Sequence, residues 1–177
     1  MISWNDFIYF ALPAVLLWIV GAYMALKGRE KTAGGFTIVG LLVFGAFIAM
    51  MWCSLERPPL RTMGETRLWY SFFLPLTGLL VYSRWKYKWI LSFSTLLAFV
   101  FVCINLFNPE IHNKTLMPAL QSPWFAPHVI VYMFAYAILG ASAVMSVYLL
   151  WGKKYNDSHN ELAICDNLVY VGVSFMT

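Results

Sequence analysis

Few side chains in this sequence could carry chemistry, and His128 stands in the most distinctive setting. The chain has three histidines and three cysteines among its 177 residues. His128 follows the stretch "SPWFAP", which places two prolines and two aromatic residues directly before it, and a long hydrophobic run comes after it. A histidine in this position can act as a metal ligand or as a hydrogen-bonding group at a membrane surface.

The residues before His128 predict the start of a helix. Ser122 followed by Pro123 has the pattern of an N-cap with proline at the first helical position. Pro127 then permits a bend or a fresh start, so that His128 falls in the first turn of the hydrophobic helix. A helix N-terminus disfavours a nearby cation by about 0.3–1 kcal/mol, and partial burial acts in the same direction, so we expect a largely neutral imidazole.

A neutral imidazole beside apolar and aromatic groups suits haem iron as an axial ligand, because protonation would block the nitrogen lone pair. The alternative is an interfacial histidine that only hydrogen-bonds water or a lipid headgroup. The residue types around His128 are compatible with both interpretations.

Other catalytic signatures are scarce. Cys53, Cys103 and Cys165 are isolated, without a CxxC pair for redox exchange or metal binding, and each is expected to be a small packing residue. The sequence has no Walker loop, HExxH or GxSxG motif, and the "AGG" after Lys31 is interpreted as a flexible turn. These observations argue against an ATPase, a protease and a hydrolase.

The composition indicates an all-α, polytopic integral membrane protein. Hydrophobic residues make up 61% of the chain and charged residues only 11%, which is unusual for a soluble domain. A bilayer core of about 30 Å needs a helix of about 20 apolar residues. The sequence predicts a helical bundle with five complete transmembrane helices and an incomplete sixth, at residues 7–26, 36–55, 68–83, 89–107, 128–151 and from 162 onward.

The distribution of lysine and arginine predicts the orientation, because cytoplasmic loops are enriched in these cations. The loops at 27–35, 84–88 and 152–161 are assigned to the cytoplasmic side on this basis. The N-terminus and the loops at 56–67 and 108–127 are then external. Because this topology accounts for the net charge of +4, we infer no nucleic-acid binding.

The stretch "LMPALQSPWFAPHVIVYMFAYAILGASAV" resembles the segment of the CcsA/ResC-type cytochrome c biogenesis proteins that carries their first external haem-ligating histidine. The stretch "RTMGETRLWYSF" is similar to a family segment with a glutamate, here Glu65, before the third span. The closing "NLVYVGVSFMT" resembles the helix that precedes the family's tryptophan-rich motif.

The resemblance implies haem handling in the system II pathway of cytochrome c maturation. A membrane protein with a ResB/CcsB-type partner subunit would present haem b to the CxxCH thiols of apocytochrome c in the bacterial inner membrane. His128 would be an external axial ligand of the haem iron, and Trp124 is a candidate haem contact. This sequence lacks the family's "WWD" loop and second external histidine, since His112 lies outside the matching motif as an expected loop residue and His159 falls on the predicted cytoplasmic side.

The same reasoning predicts two regions in the chain. Residues 1–107 would form an N-terminal four-helix transmembrane region, and residues 108–177 the start of the cytochrome c assembly domain. Residues 162–177 would make a helix of roughly 24 Å, shorter than the hydrocarbon core, although Ser158 and Glu161 form a capping box at its start. We therefore expect an N-terminal fragment of a cytochrome c synthase component that is inactive alone.

Two further patterns have more than one interpretation. Three arginines on the predicted external side could bind haem propionates, or could pair with Glu56, Glu65 or lipid phosphates; they are Arg57, Arg61 and Arg67. Small residues at four-residue spacing on the fifth span favour close helix packing, namely Ala137, Ala141, Ser142 and Ser146.

The alternative to a haem-delivery protein is a polytopic structural or transport subunit that binds no haem.

Overall fold

Six α-helices, with no strand, form the parts of the chain that the computed structural model describes, which are residues 3–85, 88–112, 124–151 and 159–176. The helices are α1 (Phe7–Leu26), α2 (Glu30–Leu55), α3 (Met63–Trp85), α4 (Lys88–Phe107), α5 (Phe125–Trp151) and α6 (His159–Ser174). Short 3₁₀ helices precede α1 at Trp4–Asp6 and follow α4 at Pro109–His112. The predicted all-α bundle is confirmed.

Length and composition make this a polytopic integral membrane protein. Within the described residues, four helical segments are long and apolar enough to cross a membrane: Trp4–Leu26, Glu30–Leu55, Ile90–Phe107 and Pro127–Val147. Helix α3 has a similar length but carries Glu65 in its first turn and Arg84 in its last. Helix α6 contains a shorter apolar segment, Leu162–Ser174.

Helix α2 starts earlier than the sequence predicted, and the interpretation of "AGG" as a flexible turn is wrong. Ala33 and the two glycines after it lie inside α2, which begins at Glu30. Ala33 is fully buried in a cluster with Ala25, Tyr82 and Leu91. This tertiary packing outweighs the cost of glycine in a helix, which is about 1 kcal/mol per residue.

The chain divides into two compact units, Met1–Ala126 and Pro127–Thr177. In the first unit, α1 packs on α2 and α4, and α3 packs on α4. Short connections make successive helices antiparallel, so α1 and α3 begin at the end where α2 and α4 finish. We call this the Trp4 end of the first unit, and the opposite end the Lys27 end.

Two antiparallel helices, α5 and α6, form the second unit. The Tyr132 hydroxyl donates to the Met176 carbonyl oxygen at 3.1 Å, and the Ser142 hydroxyl donates to that of Cys165 at 3.4 Å. Ser142 is buried in this contact. The small residue at position 142 therefore serves helix packing, as its spacing predicted.

Candidate functional site

His128 is the fourth residue of α5, which begins at Phe125. The helix runs through Pro127 without a fresh start at that proline, and His128 lies in its first turn, as the sequence predicted. Pro127 occupies the third helical position, where a missing N–H breaks no intrahelical hydrogen bond. The proposed N-cap, Ser122 with Pro123, lies outside the described residues.

The imidazole of His128 is exposed, so the partial burial expected from the sequence is not observed. Its ring lies against the ring of Tyr132, with centroids 4.2 Å apart and planes tilted by 43°. Tyr132 is held in turn by the hydrogen bond from its hydroxyl to the Met176 carbonyl oxygen. One face of the histidine is thus supported by an anchored aromatic ring.

Aromatic rings recur at four-residue intervals from His128 onward in α5. His128, Tyr132 and Tyr136 lie on one face of the helix, because residues four apart are neighbours on its surface. Tyr136 is 49% exposed, and Trp124, which precedes the helix, is 82% exposed. We call His128, Tyr132 and Tyr136 the aromatic stripe. Sequence analysis missed Tyr132 and Tyr136, although their spacing from His128 was a usable signal.

Glu65 is buried at the Trp4 end of the first unit and forms an ion pair with Arg57. The guanidinium donates from Nη2 to Oε1 at 2.9 Å and from Nη1 to Oε2 at 3.1 Å. Glu65 is 2% exposed and Arg57 is 25% exposed. The sequence allowed Arg57 to bind haem propionates, lipid phosphates or nearby carboxylates. In the structure it binds the carboxylate of Glu65.

The backbone around Glu65 completes its hydrogen bonding. The Glu65 Oε2 accepts from the N–H groups of Arg61 at 2.6 Å and Thr62 at 3.1 Å, while the Glu65 N–H donates to the Thr62 hydroxyl at 3.2 Å. This reciprocal pair is a capping box, with Thr62 as N-cap of α3. The T-x-x-E spacing could have revealed it from the sequence and explains why α3 starts at Met63, ahead of the predicted residue 68.

His112 also lies at the Trp4 end, where it belongs to the short 3₁₀ helix Pro109–His112 and not to a loop. Its ring stacks on Trp4, with centroids 3.8 Å apart and planes at 6°. Its Nε2 lies 3.0 Å from the Asn105 carbonyl oxygen, and because that oxygen can only accept, Nε2 carries the proton. A Cβ on Gly64 would lie 2.7 Å from Cδ2 of His112, so glycine allows this close approach.

Burial lowers the pKa of His112 below its ordinary value of 6.5, and the hydrogen bond to Asn105 opposes that shift. The folded protein therefore favours the neutral ring, while the unfolded chain takes up a proton at the ordinary pKa. The resulting stability is present above pH 6.5 and is lost as the pH falls through the lowered pKa of the folded state.

We expect His112→Gln to flatten this pH dependence, because glutamine can donate to the Asn105 carbonyl oxygen but does not titrate. The measurement is thermal unfolding of the detergent-solubilised chain between pH 5 and 7.5, values chosen to lie about one unit or more either side of the ordinary histidine pKa. His128 and His159 are present in both proteins, so their effects cancel. An equal loss of stability at low pH in both proteins would contradict the assignment.

Arg61 contributes its backbone N–H to the Glu65 site, while its side chain is exposed. No group of three or more His, Cys, Asp and Glu side chains that could hold a metal ion occurs among the described residues. None of the three cysteines, all of which the structure describes, forms a disulfide bond. Cys165 is buried as expected, whereas Cys53 is exposed and is not a packing residue. His159 begins α6, and its side chain, like the Ser158–Glu161 capping box, lies outside what the structure describes.

The fold and the aromatic stripe define a polytopic helical membrane protein with an exposed histidine near the start of one helix. The family model described as Cytochrome C assembly protein matches residues 7–175. This chain therefore belongs to the cytochrome c assembly family.

Curated relatives agree with the family assignment. The chain is similar to "Cytochrome c biogenesis protein CcsA" of Cucumis sativus, with 33% identity over 74% of this chain and 40% of the relative. The proteins of the same name from Porphyra purpurea and Synechococcus sp. (strain WH7803) are 28% and 26% identical, over 78% and 79% of this chain and 45% of each relative. The aligned part of the chain thus spans less than half the length of these relatives. No solved structure matches the chain with comparable significance.

Proposed function

We propose that this chain acts in cytochrome c maturation of the system II type, by binding haem b and presenting it to apocytochrome c. In this proposal His128 is an external axial ligand of the haem iron. The observation that carries it is an exposed imidazole on the aromatic stripe of a chain that belongs to the cytochrome c assembly family.

The side chains around His128 are of the types that would hold a haem. An imidazole nitrogen can coordinate the iron, and the exposed Trp124 offers an aromatic surface to the porphyrin. The Tyr132 ring packs against the imidazole and restricts its orientations. When bound, haem supplies the vinyl groups to which the CxxCH thiols of apocytochrome c add.

The proposal extends to topology and partners. The Lys27 end of the first unit carries exposed Lys27, Arg29, Lys31 and Arg84, so we place it on the cytoplasmic side of a bacterial inner membrane. The Trp4 end and His128 would then be external, where apocytochrome c is found. A ResB/CcsB-type membrane subunit would be the partner.

Haem retention by the purified chain tests the role of His128. We expect His128→Ala to lower the haem-to-protein ratio about tenfold, which corresponds to a loss of about 1.4 kcal/mol in binding free energy. Added imidazole should restore the Soret absorbance by supplying the missing ligand. The measurement is the Soret spectrum of the chain isolated from membranes, before and after imidazole addition.

His112→Gln is the matched control, because it removes a second histidine predicted to lie on the same side of the membrane. It should leave haem retention unchanged. Equal haem content in His128→Ala and the unaltered chain would contradict the ligand assignment. Absence of haem from all these proteins would favour a non-haem membrane subunit.

A further inference from the structure

A groove on the first unit lies between α1 and α4, close to the Lys27 end. It has a volume of about 380 Å³, near the lower limit of typical ligand pockets, which are on the order of 300–1,000 Å³. Residues from α1 and α4 contribute equally to its lining: Ile19, Ala22, Tyr23 and Leu26 from α1, and Ser92, Thr95, Leu96 and Phe99 from α4. We call it the α1–α4 groove.

Large apolar side chains form the walls of the α1–α4 groove, and small side chains form its floor. Ile19, Leu26 and Leu96 are each at least 50% exposed on the walls, whereas Ala22 is buried. Thr95 is also buried, and its hydroxyl donates to the Ser92 carbonyl oxygen at 2.9 Å. The surface available to an occupant is therefore mostly hydrocarbon.

A cation lies at one end of this apolar surface. The Lys27 Nζ sits 4.5 Å from the centroid of the Tyr23 ring, which itself lines the groove. Lys27 is exposed and follows the last residue of α1. An occupant with a hydrocarbon chain and an anionic group at one end would match both features.

We propose that the α1–α4 groove binds an anionic phospholipid, with one acyl chain along the groove and its phosphate group at Lys27. Anionic lipids concentrate at the cytoplasmic leaflet and are attracted by basic residues next to a transmembrane helix. This lipid site is independent of haem binding by His128.

The groove suits an acyl chain better than a partner helix. Helix interfaces in membranes are enriched in small residues that let two backbones approach each other. The α1–α4 groove has large side chains along its walls, including Tyr23 and Phe99. A flexible chain can fill the narrow space between such side chains, whereas a helix of about 10 Å diameter cannot.

Native mass spectrometry of the detergent-solubilised chain tests the charge requirement. Phosphatidylglycerol and phosphatidylcholine are added at equal concentration, and we expect at least about fivefold more bound phosphatidylglycerol, or roughly 1 kcal/mol. Lys27→Gln should remove this preference. Lys31→Gln is the matched control, because Lys31 is an exposed lysine of α2, a helix that contributes no residue to the groove lining, and it should retain the preference.

A second pair of variants tests the location. Leu96→Trp fills the groove and should lower bound phosphatidylglycerol about fivefold, while Leu80→Trp alters an exposed apolar residue of α3 outside the groove and should not. Equal binding of the two lipids, or equal binding by the two tryptophan variants, would overturn the proposal. Cross-linking of Leu96→Cys to a protein segment instead of to lipid would also overturn it.

Discussion

Glu65→Ala is expected to destabilise the first unit by about 3 kcal/mol, because the substitution removes the carboxylate from a buried ion pair. Arg57 would lose both of its contacts with Glu65, and the N–H groups of Arg61 and Thr62 would lose their acceptor. Loss of one member of a buried pair costs about 3–5 kcal/mol. We place the effect at the lower limit, since Arg57 is 25% exposed and can reach water.

Equilibrium unfolding of the detergent-solubilised chain measures this effect. Glu110→Ala is the matched control, because Glu110 is an exposed acid at the same end of the unit, and its substitution should change stability by no more than about 0.5 kcal/mol. The loss of stability in Glu65→Gln should fall between those of Glu65→Ala and Glu110→Ala, since an amide oxygen still accepts from the Thr62 N–H but carries no charge. Equal stability of Glu65→Ala and Glu110→Ala would show that the ion pair does not stabilise the fold.

Gly78→Val is expected to destabilise the packing of α3 on α4 by about 3 kcal/mol, near the upper part of the range for overpacked positions. Gly78 faces Ser94 at the interface, and a Cβ at position 78 would overlap both the Cβ and the Oγ of Ser94. Since Ser94 is buried, its backbone would have to move to make room. The measurement is the same unfolding equilibrium.

Gly35→Val is the control for helix propensity, because it introduces the same side chain into α2 where no heavy atom lies within 4 Å of the new Cβ. It should cost much less than Gly78→Val. Adding Ser94→Gly to Gly78→Ala should restore part of the lost stability by removing the overlapping atoms. If Gly78→Val and Gly35→Val lowered the free energy of unfolding equally, that result would contradict the close approach of α3 to α4 at Gly78.

The Glu65 prediction concerns the Trp4 end of the first unit. The Glu65 capping box and Arg57 hold the start of α3, and Trp69 donates to the Pro59 carbonyl oxygen at 3.0 Å to hold the connection between α2 and α3. Leu60 is 2% exposed in that connection. Loss of the Glu65 contacts is therefore expected to affect the whole Trp4 end.

The sequence alone determined the class of the fold, and it predicted His128 as the candidate haem ligand. Long apolar segments can satisfy their backbone hydrogen bonds in a bilayer only as helices or closed barrels, and no segment had the alternation of a barrel strand. His128 could be singled out because its neighbours in the sequence create its setting. The family resemblance depended on such local stretches too, and the family match over residues 7–175 confirms it.

Only the tertiary structure decided which distant residues meet. The sequence offered three arginines that could pair with Glu65. Arg57 is the partner, because the connection between α2 and α3 folds back over Glu65. Sequence analysis assigned His112 only to a loop, because its contacts with Trp4 and Gly64 join positions far apart in the sequence. Burial of Ala33 likewise kept the "AGG" stretch helical. Local patterns specify helices and their caps, whereas contacts across the bundle depend on how all the helices pack together.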